Sequence, residues 1–243
     1  MAAGASSRII RPMCGRFSSD LPPELLARVF GTMNDVPNFP ASYNLAPTQL
    51  APVVRRHPES GERHLDLLRW GLLPYWTKDP KQARKPINAK AETVGTSSMF
   101  REAFARRRCL VPAGAFFEWR KLDGGRKQPY AVARADGAPL ALAGVWEGWR
   151  APSGEVERTF AIVTTDANDL MAPIHNRMPV VVEAADWPVW LGEAEGDPAE
   201  LLHPAGADVL RLWPVSPRVN APRNNDARLI EPFEITSAAA PRV

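Results

Sequence analysis

Short apolar segments separated by polar turns dominate the chain and predict a structure built mainly from β-strands. Six segments have the length and the content of β-branched or aromatic residues typical of strands. They cover residues 65–72, 109–112, 115–119, 130–134, 140–146 and 159–165. The 25 prolines among 243 residues are scattered rather than clustered, so they end strands and form turns instead of making a flexible linker. The pattern therefore predicts many short strands joined by loops.

Apolar residues with helical spacing predict three helices, at residues 21–30, 99–107 and 184–191. Asp20 is the predicted cap of the first helix. Residues 193–208 have the composition of a surface excursion, and residues 236–243 that of a disordered tail. Because no repeat or linker divides the chain, we predict a single α+β domain over residues 13–235, with a mainly antiparallel, barrel-like β core and flanking helices. Residues 1–12 are then either a leader or a misassigned start.

Composition narrows the class of protein but does not define its function. The net charge is only +3 with a pI near 9.1, so a nucleic-acid partner depends on where the cations cluster. No apolar run approaches the roughly 20 residues of a membrane span, and the first twelve residues lack the apolar stretch of a secretory signal. Two cysteines make neither a disulfide framework nor a zinc site by themselves. We therefore predict a cytoplasmic protein without metal or cofactor.

Cys14 follows Met13 and precedes a glycine, a context typical of an initiator methionine that is trimmed. An N-terminal cysteine carries an amine and a thiol on adjacent carbons, so it can condense with an aldehyde and close a five-membered thiazolidine ring. Its α-amine, with a pKa of about 7.7–8.0, is roughly 10% neutral at pH 7, against about 0.04% for a lysine. The alternative is that Met13 and Cys14 are an internal dipeptide and that Cys14 is a small buried hydrophobe.

Aromatic residues are interleaved with a basic stretch in the segment RWGLLPYW at residues 69–76 and the segment INAKAET at residues 87–93. The cations of this region are Lys78, Lys81, Arg84, Lys85 and Lys90. Such a pattern suits single-stranded nucleic acid, because bases stack on the rings while cations follow the phosphates. The alternative is that the tryptophans belong to the core and the lysines to a solvated loop. The arginines at residues 106–108 are interpreted as a solvated helix end rather than a DNA contact.

Three further residues carry candidate chemistry. Glu118 shares one face of a predicted strand with Phe116, so burial among aromatic rings would raise its pKa towards neutrality and suit it to acid-base work. The alternative is a solvated carboxylate or one paired with Arg120. His175 precedes an apolar strand at residues 180–182, beside Arg177, which would lower the histidine pKa and could hold a phosphate; a structural histidine is the alternative. Cys109, at the start of an apolar strand, is interpreted as structural.

The order of six motifs along the chain resembles the SOS-response-associated peptidase (SRAP) domain family, the abasic-site processing proteins. The motifs are MCGRF at 13–17, YNLAPTQ at 43–49, RWGLLPYW at 69–76, INAKAET at 87–93, LVPAGAFFEW at 110–119 and IHNRMPVVV at 174–182. The resemblance implies a barrel-like core with a positively charged groove for single-stranded DNA. It also implies the catalytic residues Cys14, Asn88, Glu118 and His175, and the DNA contacts Arg16, Trp70, Pro74, Trp76, Lys90 and Arg177.

What the resemblance implies about function is a crosslinking, lyase-type enzyme that binds abasic sites in single-stranded DNA and joins Cys14 covalently to the aldehyde as a thiazolidine. Removal of the residues before Cys14, by self-cleavage or trimming, belongs to this expectation. We further expect a monomer without cofactor or membrane partner, in the cytoplasm of a bacterium and associated with the nucleoid through DNA. Two alternatives remain: a cysteine peptidase or hydrolase with Cys14 as nucleophile and His175 as base, and a non-enzymatic single-strand-binding module.

Overall fold

The computed structural model describes residues 14–235; the predicted leader over residues 1–12 and the predicted tail over residues 236–243 lie outside this range. Its strands are β1 (Phe17–Ser19), β2 (Ser42–Leu45), β3 (Leu50–Arg56), β4 (Arg63–Trp70), β5 (Asn88–Lys90), β6 (Arg108–Ala113), β7 (Ala115–Lys121), β8 (Lys127–Arg134), β9 (Leu140–Arg150), β10 (Val156–Asp166), β11 (Arg177–Pro179) and β12 (Leu210–Pro214). Its α-helices are α1 (Pro23–Phe30), α2 (Arg101–Arg106) and α3 (Trp187–Leu191). Short 3-10 turns cover Asp123–Gly125, Ala184–Asp186, Pro198–Leu201, Ala207–Val209, Pro217–Asn220 and Ala227–Leu229.

The larger sheet closes on itself and forms the core of the domain. Its strands run β10–β4–β3–β6–β9, and β9 pairs again with β10, so that five strands complete a ring. Only the contact between β10 and β4 is parallel within this ring. Inward-facing rings such as Trp70 and Phe160 are fully buried and stack on each other. The predicted single α+β domain with a barrel-like, mainly antiparallel core is confirmed.

Two short strands extend the closed sheet along β10 and matter for the site. Strand β5 pairs parallel with β10, with Asn88 opposite Ile162. Strand β11 pairs antiparallel with the end of β10, with Arg177 opposite Asp166. Consequently the segments that carry Asn88, His175 and Arg177, far apart in sequence, lie along one strand of the barrel.

The smaller sheet is antiparallel throughout, in the order β12–β8–β7–β1–β2. Strand β1 pairs with β7, with Phe17 opposite Phe116. The chain just before β1 therefore runs beside the strand that carries Glu118. This pairing brings Cys14, at one end of the sequence, to a residue 104 positions away.

The six strands expected from the hydrophobic pattern are all present, as β4 and β6–β10. The expected strand at residues 180–182 is wrong, because β11 ends at Pro179. The residues that follow change their hydrogen-bond partner from β10 to β9. Val180 N–H donates to Val163 O on β10, whereas Val182 N–H donates to Ala141 O on β9. The expected cap Asp20 is also wrong, since α1 begins at Pro23 with Pro22 as its cap.

Gly144, on β9, is required by the close approach of β6. A Cβ atom there would lie 2.9 Å from Cys109 Sγ and 3.3 Å from Ala161 O. We expect Gly144→Ala to lower the free energy of unfolding by about 1–3 kcal/mol, the usual penalty of overpacking a core, as measured by urea denaturation. Gly95→Ala, whose new Cβ would meet Phe104 at an ordinary 3.5 Å, is the matched control. An unchanged denaturation midpoint for Gly144→Ala would contradict the tight packing of β6 on β9.

Candidate active site

Cys14 and Glu118 are in direct contact at the junction of the two sheets. The backbone nitrogen of Cys14 donates a hydrogen bond of 2.6 Å to Oε1 of Glu118. Cys14 has φ of 40°, in the left-handed region that side chains other than glycine seldom adopt, and its side chain is buried. In the chain as sequenced this nitrogen is a peptide nitrogen. The contact shows where an amine would lie if Cys14 were the first residue.

Glu118 is buried on β7, with 4% of its surface exposed. Burial raises its pKa to about 7, and the peptide N–H groups of Cys14 and Trp119 oppose the shift because they stabilise the carboxylate. This confirms the expected buried carboxylate; the solvated alternative is wrong. Glu118 can therefore take up or release a proton near neutral pH within hydrogen-bond distance of the Cys14 nitrogen.

The thiol of Cys14 is held in its protonated form. Burial raises its pKa well above the ordinary value, and the nearby carboxylate of Glu118 raises it further. Because the thiolate, not the thiol, is the strong nucleophile of cysteine enzymes, this environment does not favour attack by sulfur as the first step. Burial likewise raises the pKa of the Cys109 thiol, and Cys109 is buried in the barrel, as expected of a structural cysteine.

His175 is half-buried, and one of its ring nitrogens already has a partner. The backbone N–H of Arg177 donates to Nδ1 at 3.1 Å, so the proton of the neutral ring is on Nε2. Burial lowers the pKa of His175, and the positive charges of Lys127 and Lys121 lower it further. At pH 7 the ring is therefore a neutral hydrogen-bond donor through Nε2. The expectation that the Arg177 charge lowers this pKa is wrong.

Lys121 and Lys127 were missed at the sequence level and lie beside His175. They are directly opposite each other across the β7–β8 hairpin, and both line a cleft of about 790 Å³ together with His175 and Trp119. Like charges in this position destabilise a sheet. The signal that could have located them is the turn at Asp123–Gly125, which pairs the residues on either side of it.

Arg177 is committed to protein partners. Its guanidinium donates to Asp166 Oδ1 at 2.8 Å, to Thr164 O at 2.6 Å and to the carboxylate of Glu92. The Arg177 hydrogen bond is the main reason why the Glu92 pKa is lowered. The arginine is almost fully buried, so its first role in this structure is to join β11 to β10 and to the segment after β5. The predicted phosphate contact would require one of the carboxylates to release it.

Asn88 lies on β5, close to the Cys14 segment. A Cβ atom placed on Gly15 would be 4.0 Å from Cδ1 of Ile87, so the residue after Cys14 lies near the residue before Asn88. Two residues further along, Lys90 is exposed at the end of β5. The structure thus places Glu118 against the Cys14 nitrogen and the residue before Asn88 near Gly15. The charge of Lys127 lowers the pKa values of both Glu118 and His175.

Of the three DNA contacts predicted in the segment at residues 69–76, only Trp76 is exposed, with 53% of its surface accessible. Trp70 is 0% exposed, and its Nε1–H donates to Ile87 O at 2.9 Å. Pro74 is buried and starts a turn closed by Thr77 N–H. The predicted direct DNA contacts at Trp70 and Pro74 are therefore corrected: Trp70 positions the residue before Asn88, and Pro74 shapes the turn that exposes Trp76.

Arg16, also predicted to contact DNA, is bonded to the protein. Its Nη1 donates to Asn44 Oδ1 and to Val219 O, both at 2.8 Å. These bonds join the residue before β1 to β2 and to the 3-10 turn Pro217–Asn220. A DNA contact by Arg16 remains a prediction. It would use the guanidinium N–H groups that do not take part in these hydrogen bonds.

Within residues 14–235, no group of three or more His, Cys, Asp or Glu side chains is arranged to hold a metal ion. The same part of the chain contains no helix with the length and apolar character needed to cross a membrane.

The family profile described as SOS response associated peptidase (SRAP) matches residues 13–222. The chain belongs to this family. Among SRAP relatives, the abasic site processing protein YoqW of Bacillus subtilis (strain 168) is 37% identical over 224 residues, which cover 90% of this chain and 99% of the relative. The abasic site processing protein HMCES of Mus musculus is 29% identical over 280 residues, covering 95% of this chain and 79% of that protein.

Solved structures share the fold of this SRAP domain. A protein from Bacteroides thetaiotaomicron superimposes with a TM-score of 0.81 at 25% identity, covering 91% of this chain and 100% of that one. A protein from Bordetella bronchiseptica gives a TM-score of 0.70 at 28% identity, covering 84% of this chain and 100% of that one. The barrel and the strands that flank it are therefore the common framework of these proteins.

Proposed function

We propose that this SRAP protein processes abasic sites and that Cys14, once it is the N-terminal residue, captures the abasic aldehyde in single-stranded DNA as a thiazolidine. The relatives named abasic site processing proteins support the substrate. The observation that carries the mechanism is the 2.6 Å contact between the Cys14 nitrogen and Glu118. It pairs a nitrogen adjacent to its own thiol with a carboxylate whose pKa is about 7.

The chemistry proceeds in two bond-forming stages. First, the Cys14 amine adds to C1′ of the ring-opened sugar, and loss of one water gives an imine. Next, the Cys14 sulfur adds to the imine carbon while its proton moves to the nitrogen, which closes the ring. The product has the mass of protein plus DNA minus one water, and no oxidant or reductant is needed. A thiol that keeps its proton, as burial of Cys14 ensures, supplies the proton that the nitrogen needs in the second stage.

Glu118 is the proposed proton carrier of the first stage. An α-ammonium with a pKa of about 7.7–8.0 can pass a proton to Glu118, because burial raises the pKa of that carboxylate towards the same range. The protonated carboxyl can then return the proton to the departing hydroxyl. Asn88, on the adjacent β5, is proposed to hold the amine or a sugar oxygen. Alignment of these groups supplies much of the acceleration.

His175 is proposed to assist opening of the sugar ring by donating a hydrogen bond from Nε2 to the ring oxygen, which gains the proton that the C1′ hydroxyl loses as the aldehyde forms. The tautomer fixed by Arg177 supports this role. It argues against the cysteine-hydrolase alternative, in which a histidine must accept the proton of the thiol. The high pKa of the Cys14 thiol argues against that alternative as well.

The site is built from one chain, so we propose that the protein acts as a monomer. Its proposed partner is the exposed single strand of damaged DNA, with Trp76 and Lys90 as accessible contacts. Since several relatives are proteins of Bacillus subtilis, we also propose that it works in a bacterial cytoplasm, at the nucleoid.

The test is a denaturing gel of protein incubated with single-stranded DNA that carries one abasic site. Protein whose measured mass begins at Cys14 is expected to give a denaturant-resistant band with a mass one water below the sum. Protein that retains residues 1–13 is the matched control and is expected to give none, because an acylated nitrogen cannot form an imine. An equally stable band from that longer form would contradict the proposal.

His175→Ala is expected to slow adduct formation by about 10²–10³-fold with a natural abasic site, the usual cost of removing one hydrogen-bond donor from an oxygen that gains charge. The same variant is expected to react normally with an oligonucleotide whose aldehyde is attached through an open chain and cannot cyclise, because no ring oxygen then needs a hydrogen-bond donor. Rates of band formation measure both reactions. An equal loss with both substrates would assign His175 a different role.

A further inference from the structure

A second cleft, of about 880 Å³, lies at the opposite end of β10 from Asn88 and is strongly cationic. Six arginines line it, against the two carboxylates of Glu59 and Glu147. The arginines are Arg56, Arg106, Arg107, Arg108, Arg150 and Arg158. The formal charge of the cleft is therefore +4, from six positive and two negative groups, whereas that of the whole chain is only +3. The excess positive charge of this protein is concentrated in the arginine cleft.

Several of these arginines have structural partners. Arg56 donates to Gly192 O at 2.9 Å, Arg107 forms an ion pair with Glu147 at 2.8 Å, and Arg108 donates to backbone carbonyls that include Phe104 O at 2.7 Å. These bonds explain why the positions suit arginine, but they leave the positive charge largely uncompensated.

Arg106 and Arg158 differ from the others. Both are exposed, and within residues 14–235 neither guanidinium forms a hydrogen bond or an ion pair with the protein. Arg158 also repels the buried Arg55, as the lowered pKa of Arg55 indicates; burial of Arg55 is the larger cause of that lowering. A position at the end of α2 could account for Arg106 through the helix dipole, but Arg158 lies within β10. Like charges gathered without partners cost stability, and they point to an anionic ligand.

An exposed aromatic ring completes the cleft. Tyr75 lines it with 54% of its surface exposed, and the Arg107 guanidinium lies 5.8 Å from its ring centre. The next residue is Trp76, one of the accessible predicted DNA contacts. Loop residues 71–87 are fixed to the barrel on both sides of this pair: Leu73 N–H donates to Thr159 Oγ1 at 2.8 Å, and Trp149 Nε1–H donates to Thr77 O at 2.7 Å.

The cleft and the proposed catalytic site are joined along β10. Arg158 lines the cleft, and Ile162 pairs with Asn88; four residues of extended strand separate them by about 13 Å. A DNA strand that leaves the catalytic site could therefore pass the two adjacent aromatic residues and reach the arginines within a few nucleotides. Proteins that bind single strands usually combine rings that stack on the bases with cations that bind the phosphates. An acidic peptide offers carboxylates to the arginines but no bases to stack on the rings.

We infer that the arginine cleft binds phosphates of the same DNA strand beyond the nucleotides held at Cys14, with Arg106 and Arg158 as the principal contacts. The inference rests on the proposed function for the identity of the strand. Arginine suits this task because its planar donors match a phosphate bidentately.

The experiment measures the binding of undamaged single-stranded DNA of about 5 and about 20 nucleotides by fluorescence anisotropy at several salt concentrations, so that no covalent step intervenes. For the longer strand, Arg106→Ala/Arg158→Ala is expected to reduce the slope of log affinity against log salt by about 1.4, since each lost phosphate contact removes about 0.7. Binding of the shorter strand, which covers only the catalytic site, is expected to be unchanged.

The matched control is Arg101→Ala/Arg211→Ala, which removes one exposed arginine from the same helix, α2, and one from a strand, β12, both outside the cleft. It is expected to leave both strands unaffected. Arg106→Lys/Arg158→Lys retains the charge and is expected to keep most of the slope, which separates electrostatic binding from misfolding.

An unchanged slope in the alanine double variant would overturn the inference, as would wild-type protein that binds both lengths equally. Poly-glutamate is added as a competitor. If it displaces the long strand from wild type but not from the alanine double variant, and the slope of log affinity against log salt is the same for both proteins, the cleft would instead bind an acidic peptide. Adduct formation with a short abasic strand is measured in parallel. Its absence would contradict the proposed function, whereas the length dependence of binding tests the cleft alone.

Discussion

Replacing Cys14 by alanine, in protein that begins at residue 14, is expected to abolish the denaturant-resistant adduct while leaving an imine that borohydride can trap. The amine remains beside Glu118, so the first stage of the proposed reaction proceeds. Without the sulfur the ring cannot close, and the imine either hydrolyses or eliminates the 3′ phosphate, which cleaves the strand. Because intramolecular ring closure has a very high effective molarity, stable product should fall by at least about two orders of magnitude while strand cleavage rises.

Cys109→Ala is the control for this variant, because it removes the other cysteine of the chain from a buried position in β6. It should lower stability modestly through lost packing and leave the adduct intact. Denaturing gels with and without borohydride measure both outcomes. A stable adduct from Cys14→Ala that needs no reductant would sink the thiazolidine step and leave an amine-only mechanism.

The longer strands could be predicted from the sequence because each carries its own hydrophobic pattern. Strand β10 contains the apolar run Phe160-Ala161-Ile162-Val163, which is buried throughout and bounded by polar ends. The short strands β5 and β11 could not be predicted, since Asn-Ala-Lys and Arg-Met-Pro have no such pattern. These segments are extended because they form backbone hydrogen bonds with β10. Their conformation therefore depends on the strand they pair with and not on their own sequence.

The site shows the same division between local and distant information. The raised pKa of Glu118 could be predicted, because its neighbours in sequence, Phe116 and Phe117, indicate a buried strand. The partners of Arg177 could not, since Glu92 and Asp166 reach it only through the pairing of β10 with β5 and β11. The fixed tautomer of His175 also depends on a local turn that the sequence pattern does not reveal.

Burial of the Glu118 carboxylate supports its proposed function and also lowers the free energy of unfolding of the protein. Below the pKa of an unfolded glutamate, about 4.3, both states carry the proton and Glu118 costs nothing. The pKa of Glu118 in the folded protein is about 7. Between about pH 4.3 and pH 7, Glu118 is therefore ionised in the unfolded state but still protonated in the folded state, so the free energy of unfolding falls as the pH rises. Above about pH 7 the loss is constant, and the shift corresponds to about 3–4 kcal/mol.

Glu118→Gln should therefore make the protein more stable and less active at the same time. With residues 1–13 still attached, we expect the variant and wild type to unfold alike near pH 4. By pH 8 we expect the variant to gain up to about 3–4 kcal/mol in free energy of unfolding, as followed by urea denaturation. In protein that begins at Cys14 the gain should shrink, because the new α-ammonium stabilises the carboxylate of wild type. That shorter variant should form adduct about 10²–10⁴-fold more slowly.

Glu155→Gln, at an exposed turn, is the control and should change neither the stability nor the rate of adduct formation. A variant that is less stable than wild type at pH 8 would mean that Glu118 is ionised and well solvated in the folded protein, and it could not then accept a proton from the amine near neutral pH.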